Sequence, residues 1–272
     1  MVKTQIWRLQ KPFDGEPTDD NVHLVEEDLP ELKEGEILIE ALYLTVDPYM
    51  RVSVETRIKA GDPMVGEQIA KMTAYFGFLE ICQPKEGETV VVSGAAGAVG
   101  SLVGQIAKIK GCRVIGFAGD DDKCKWIKEL GFDFAYNYKK TSVEDALKEA
   151  APDGVDCYFD NVGGDFTQII LKNMKVFGRM SICGQISQYN AKEKLQADVP
   201  FPMILFKQLL VQGFIVTRWY KRWPEGEKDM AQWIREGKIQ YKETVTEGFE
   251  NMYTAFRGLF KGSNTGKAII KC

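Results

Sequence analysis

Histidine is almost absent from these 272 residues: His23 is the only one. A catalytic zinc takes about three protein ligands, usually His or Cys at organised spacings. The six cysteines, Cys82, Cys112, Cys124, Cys157, Cys183 and Cys272, include no CxxC pair. No metal site is therefore expected, and His23, with no acid or base beside it in a motif, is expected to be structural. No run approaches the ~18 apolar residues of a membrane span. The opening stretch MVKTQIWRLQK lacks the apolar centre of an export signal. A cytoplasmic protein with reduced thiols and no membrane partner is the expectation. An excess of one charge is missing too: 35 Lys and Arg against 39 Asp and Glu leave −4, with no basic stripe to suggest nucleic acid. There is no internal repeat, low-complexity tract or heptad pattern.

What remains is an ordinary globular composition, in a chain long enough for one large or two modest domains. Residues 1–68 carry short β-like pieces at 4–9 and 23–28 and an apolar run, ILIEALYLTV, at 37–46, read as a strand between a KEGE turn and Asp47-Pro48. Residues 70–82 have helical spacing and stop before Pro84 and Gly87. Strands then alternate with helices: strand 88–93, helix 101–110, strand 113–118, helix 122–130, strand 134–136, helix 142–150, strand 155–160, helix 166–174 and strand 178–183. That alternation predicts βαβ units and a doubly wound parallel sheet, an α/β fold. Beyond it come a helix near 202–210, a strand at 210–217, a helix at 229–236, a strand at 239–245, a helix at 249–260 and a closing strand at 266–271.

The sequence VVVSGAAGAVGS, residues 90–101, puts a glycine-rich turn between a buried strand and a helix. There a pyrophosphate can meet unpaired helix N–H groups and the positive end of the helix dipole. Gly97 lets the backbone approach the phosphates and Gly100 lets the helix pack on the strand. The spacing is G-x-x-G-x-x-G, with Ala95 where the usual fingerprint has its first glycine, so the strand and helix around the turn make the case, not the motif alone. In NAD binders an acid at the end of the next strand bonds the ribose 2′-hydroxyl. Here that place falls to Ala118 or Gly119, which removes repulsion toward a 2′-phosphate and points to NADP(H). Lys123 could neutralise such a phosphate; alternatively Asp120, Asp121 and Asp122 cap a helix and Lys123 is a surface residue.

Several blocks occur together and in order: residues 44–51 (LTVDPYMR), 94–108, 156–164 (DCYFDNVGG), 183–190 (CGQISQYN), 236–241 and 262–267. With them the chain resembles the zinc-free medium-chain dehydrogenase/reductases, and within them the prostaglandin reductase 1 (leukotriene B4 12-hydroxydehydrogenase) group. The resemblance implies a partial GroES-like β domain at 1–85, a Rossmann domain at 86–220, and a segment at 221–272 that completes the Rossmann domain and returns to the β domain. It implies that Gly97, Ala98, Val99 and Gly100 hold the pyrophosphate and that Lys123 and Tyr138 serve the 2′-phosphate end. Asn161 would mark the nicotinamide ribose. Cys183, Gly184, Gln185, Ile186, Ser187, Gln188 and Tyr189 would wrap the cofactor, with Phe214, Ile215, Val216 and Asn264 on the nicotinamide side.

The implied reaction is NADPH-dependent reduction of the double bond of an α,β-unsaturated ketone or aldehyde, with a lipid enone or enal as partner and leukotriene B4 12-hydroxy dehydrogenation as related activity. An enolate oxygen needs a hydrogen-bond donor, for which Tyr189 and Tyr49 are the candidates; Tyr49 could instead only pack beside Pro48. Arg51 could attract a fatty-acid carboxylate or simply face solvent. One departure stands out. In the family a further stretch of the β domain separates the Gly66-Glu67-Gln68 region from the helix at Thr73, whereas here Gln68 runs straight into Ile69. The chain therefore resembles an internally shortened form, with sheet edges and apolar surface left to cover. The alternatives are a catalytically weak NADP(H)-binding protein and a quinone reductase. A homodimer through an edge strand at 210–219 is also expected.

Overall fold

The computed structural model describes residues 2–66, 70–192 and 200–272. In chain order the strands and helices are β1 (Lys3–Leu9), β2 (Val22–Asp28), β3 (Tyr43–Thr45), α1 (Tyr49–Thr56), α2 (Ala70–Leu79), β4 (Thr89–Val92), α3 (Ala98–Ile109), β5 (Arg113–Ala118), α4 (Asp121–Glu129), β6 (Phe134–Asn137), α5 (Val143–Ala150), β7 (Val155–Asp160), α6 (Gly164–Asn173), β8 (Met174–Ile182), α7 (Phe201–Phe206), β9 (Leu210–Gly213), α8 (Trp223–Arg235), β10 (Glu243–Glu247), α9 (Met252–Phe260) and β11 (Lys267–Lys271).

Six strands make one parallel sheet in the order β6-β5-β4-β7-β8-β9. The chain winds outward from β4 to β6, crosses back, and winds the other way from β7, the doubly wound arrangement expected. β4 reads Thr-Val-Val-Val and is buried along its length. Its alternate side chains feed two cores, because successive strand residues point to opposite faces. Val90 and Val92 pack with Phe76 and Phe78 of α2, Val103 and Ile106 of α3 and Met230 of α8. Val91 packs with Ile115, Tyr158, Leu147 of α5 and Ile170 of α6.

The remaining strands form two small sheets, not a closed barrel: β1 with β2 antiparallel, and β11 between β10 (parallel) and β3 (antiparallel). A third core joins the two ends of the sequence, with Leu9, Val46, Met50 and Val54 against Tyr253, Phe256 and Ile270. His23 lies exposed on β2 opposite Arg8.

Several expected elements change length for identifiable reasons. The strand expected at 37–46 forms only at Tyr43–Thr45, where β11 lies beside it. Upstream, Ile37 and Ile39 are 81% and 80% exposed, since no strand is paired with them among the described residues. Substituting both by lysine should change stability by no more than about 0.5 kcal/mol while raising the concentration at which light scattering detects association. The strand expected at 239–245 begins only at Glu243. Before that, Gln105 holds the backbone as a neighbouring strand would: its Oε1 accepts from the Gln240 N–H at 2.7 Å and its Nε2 donates to the Gln240 carbonyl at 2.9 Å.

β9 stops at Gly213, because Phe214 turns inward over Gly77 and against Trp219. α8 starts earlier than the apolar pattern indicates, with Pro224 in its first turn, where a missing N–H is harmless. The Gln68 to Ile69 junction falls outside the described residues.

Candidate functional site

The strand order reverses between β4 and β7, so a crevice opens beyond the carboxyl ends of those two strands. Asp160, only 1% exposed, is the node that fixes its floor. Its Oδ1 accepts from the Tyr158 hydroxyl at 2.7 Å, Ser93 Oγ at 3.1 Å, and the N–H groups of Val162 and Gly163 at 2.9 and 3.0 Å. Oδ2 accepts from Thr167 Oγ1 at 2.5 Å. A buried carboxylate is tolerable only when so saturated. Burial, reinforced by the Asp160 charge, pushes the Tyr158 hydroxyl well above its ordinary pKa, so it remains a donor. Asn161 completes the stitch between strand ends, its N–H donating to Ser93 Oγ at 2.9 Å and its Nδ2 to the Ser93 carbonyl at 2.7 Å.

Above this floor runs the glycine turn. Gly94 has φ +57°, and Gly97 caps α3 in extended conformation. A Cβ on Gly100 would lie 2.4 Å from the Gly94 carbonyl oxygen, so the helix approaches the turn as closely as backbone permits. Ala95 can stand in the first-glycine place because it is fully buried, its N–H donating to the Phe117 carbonyl at 3.0 Å. Gly97, Ala98, Val99 and Gly100 all line the crevice at the positive end of the twelve-residue α3.

At one end of the crevice, β5 finishes at Ala118 and is followed by Gly119 and Asp120. Asp120 is the N-cap of α4, its carboxylate accepting from the Lys123 N–H at 2.8 Å. The cap expected of the acids forms at Asp120, but Lys123 is not the surface residue that reading made it: its side chain is 11% exposed and lines the crevice. The Lys123 ammonium donates to the Gly262 carbonyl at 2.5 Å and stands 3.6 Å from Asp120. Tyr138 lines the same end, and so does Lys139, a cation the sequence reading passed over.

At the other end, the segment after β8 folds over the floor. Cys183 and Gly184 donate backbone N–H groups to the Asp160 carbonyl, Ile186 to that of Asn161, and Ser187 Oγ to that of Val162. Cys183, Gly184, Ile186, Ser187, Gln188 and Tyr189 line the crevice, as do Asn161, Phe214, Ile215, Val216 and Asn264. Gln185 does not; its side chain packs over Gly163. Asn264 is held by its Nδ2, which donates to the Gly266 carbonyl at 2.8 Å.

The Tyr189 hydroxyl accepts from the Gln185 N–H at 3.2 Å, and burial raises its pKa, so it keeps its proton. Tyr49, at the start of α1, lines the crevice as well. Arg51 corrects its expectation. It faces away from the crevice, 2% exposed, with its guanidinium over the Phe13 ring, an ion pair to Glu55 at 2.6 Å and a bond to the Gly15 carbonyl. The reason is the periodicity of an unforeseen helix: Tyr49 and Arg51 lie two residues apart on α1 and so point different ways. Among the described residues, the cation that lines the crevice here is Arg57, the C-cap just after α1. Asp47 and Lys267, which also line the crevice, form an ion pair at 2.7 Å that sequence reading missed. The whole crevice has a volume of about 1900 Å³, ample for a dinucleotide with a second molecule beside it.

Comparison with known proteins places this geometry. The family described as "Zinc-binding dehydrogenase" matches residues 98–234, and "N-terminal domain of oxidoreductase" matches residues 5–75. Prostaglandin reductase 1 of Bos taurus is 47% identical over an alignment of 334 residues covering all of both chains. The chain belongs to the prostaglandin reductase 1 group of the medium-chain dehydrogenase/reductases.

Another member, the NADPH-dependent curcumin reductase of Escherichia coli, is 34% identical, with 97% of this chain and 96% of that one covered. Among solved structures, CurA from Vibrio vulnificus in complex with NADPH superposes with a TM-score of 0.93 at 33% identity, covering 98% of this chain and 99% of that one. The zinc in the family description has no counterpart in the side chains of this member: among the described residues no three His, Cys, Asp or Glu groups stand together as ligands. A dinucleotide does fit them. The dehydrogenase/reductase turn from Gly97 to Gly100 lines the crevice at the N-terminus of α3, Ala118 and Gly119 stand where the 2′-hydroxyl acid of an NAD site would be, and Lys123 and Lys139 line the same crevice.

Proposed function

We propose that the chain reduces the carbon–carbon double bond of α,β-unsaturated ketones and aldehydes with NADPH, a lipid enone or enal being the natural substrate class. The observation that carries this reading is that one crevice is lined by the glycine turn, Lys123 and two tyrosines, Tyr49 and Tyr189. The 47% identity to prostaglandin reductase 1 supports it. Bound NADPH would supply a hydride to the β-carbon. The turn from Gly97 to Gly100 would hold the pyrophosphate, with Lys123, Lys139 and Tyr138 at the 2′-phosphate. Phe214, Val216 and Asn264 would keep the nicotinamide end dry and oriented. Tyr189 or Tyr49 would donate a hydrogen bond to the carbonyl oxygen as negative charge builds on it. With Arg51 withdrawn, Arg57, just after α1, is a cation available to a substrate carboxylate.

Oxidation of NADPH in the presence of a simple enone tests the proposal, and comparing kcat/KM for a 15-oxo-prostaglandin and a quinone separates it from quinone reduction. Lys123→Ala should weaken NADPH about tenfold while leaving NADH unchanged, as expected for loss of one charge-assisted bond of roughly 1.5 kcal/mol. Titration of both cofactors by fluorescence reads that difference.

A second reading has its own support. The alignment with the bovine relative is 62 positions longer than this chain, and the apolar run at 37–42 stands open. Both favour an internally shortened β domain and hence a weak catalyst that retains NADP(H). Micromolar NADPH binding without enone turnover would establish it. The proposal extends to a cytoplasmic location, supported by six free cysteines, and to a homodimer. The latter is supported by β9 at the sheet edge, with Leu210 and, on α7, Phe201, Leu205 and Phe206 exposed. No helix among the described residues is long and apolar enough to cross a membrane.

A further inference from the structure

Among the described residues, Asp47 and Lys267 form an ion pair in the wall of the crevice that the proposed chemistry leaves without a task. Asp47 is 4% exposed. Its Oδ1 accepts from the Lys267 ammonium at 2.7 Å and its Oδ2 from Thr45 Oγ1 at 3.0 Å. The same ammonium donates to the Val46 carbonyl at 3.0 Å. Asp47 in turn opens α1, its carbonyl accepting from the Met50 N–H at 3.1 Å. On the other side, the residue preceding Lys267 is bonded to the cofactor turn: the Gly266 N–H donates to the Ala96 carbonyl at 2.7 Å, and Gly266 and Gly97 form a parallel bridge. Gly266 has φ +69°, and a Cβ there would lie 2.0 Å from the Lys242 carbonyl oxygen, so the crossing is tight.

Two rigid attachments thus meet at one lysine. Its backbone neighbour is fastened to the turn at Gly97, and its side chain is fastened to the root of the helix that carries Tyr49. We propose that Lys267 is a positioning residue that transmits cofactor binding at the glycine turn to the Val46–Tyr49 wall, holding Tyr49 in register with the reacting end of the cofactor. The inference rests on the NADP(H) reading above. Burial lowers the pKa of this ammonium and the Asp47 carboxylate offsets part of that effect, so a lysine is kept here at a cost that a surface tie would not carry.

Hydrogen exchange of the full chain with and without NADPH tests it. At NADPH ten times its dissociation constant, the turn and the α1 amides from Met50 to Thr56 should both exchange about tenfold more slowly. In Lys267→Met the turn should stay protected and the α1 protection should vanish, with kcat for an enone falling more than KM changes. Lys267→Arg, which keeps donors for the carboxylate and the carbonyl, should restore α1 protection. Asp47→Asn combined with Lys267→Met should cost no more than the worse single substitution. Should Lys267→Met not fold, Asp47→Asn with its lysine intact carries the same comparison. Persisting α1 protection in a variant that still binds NADPH would overturn the positioning role. So would an unsubstituted chain that binds NADPH and protects the turn alone. An unsubstituted chain that binds no NADPH at all would instead overturn the cofactor reading, and the positioning role with it.

Discussion

Asp160→Ala should destabilise the protein by about 3–5 kcal/mol, the cost of removing one partner from a buried charged network. The loss does not come from the carboxylate's own attraction alone. Its removal takes the main acceptor from the Tyr158 hydroxyl, which is left with Ser93 Oγ at 3.2 Å, and from Thr167 Oγ1 and the Val162 and Gly163 N–H groups. Tyr158 is fully buried and has no other route to solvent. Asp160→Asn keeps an acceptor oxygen but introduces an amide among five donors, and should cost less than alanine while still lowering Tm. Adding Tyr158→Phe to Asp160→Ala should recover part of the loss, because it deletes one of the stranded donors. Urea denaturation of the four proteins reads the comparison. If Asp160→Ala changed stability by less than about 1 kcal/mol, the network would be ornamental.

Gly100→Ala should reduce NADPH affinity by more than tenfold and stability by about 1–3 kcal/mol, the range for forcing an extra methyl group into packed surroundings. The new Cβ meets backbone on both counts, the Gly94 carbonyl oxygen at 2.4 Å and the Ala95 Cα at 2.9 Å. No side chain can swing aside, so the turn itself must shift, and with it the N–H groups that would meet the pyrophosphate. Gly97→Ala is the informative contrast. Its Cβ would find the Gly94 oxygen at 3.2 Å, a contact relieved by a few tenths of an ångström, so it should cost little stability. Isothermal titration with NADPH alongside thermal melts separates the two positions. Equal losses at both would mean that the glycines serve phosphate approach alone and not helix packing.

The doubly wound sheet was legible because its signal is local and repeated. β5 and β7 have the bounds expected of them, since each is a short apolar run closed by turn formers. The glycine turn could be read for the same reason. What the sequence hid was non-local. The apolar pattern at 37–42 is that of a strand, but a strand needs a neighbour, and among the described residues the neighbour lies only beside Tyr43–Thr45. Arg51 could not be aimed without knowing that residues after Pro48 coil into a helix. The Asp47–Lys267 pair joins residues 220 apart, and no spacing rule spans that distance. Lys139, next to the tyrosine that was expected at the 2′-phosphate end, carried a signal that could have been used: a Tyr-Lys-Lys run just past a strand end.

β11 has a consequence for synthesis. It is the middle strand of its small sheet, bonded on one side to β3, and its first residue sits 221 positions after Val46. Contacts so distant in sequence close late. On the ribosome, the core around Val46 must wait some 220 residues for β11 before it can seal, whereas the parallel sheet can be built from what has already emerged. Throughout that interval the nascent chain displays Val46, Met50 and Val54 to solvent, so chaperone dependence should fall on this segment and be relieved when β11 docks.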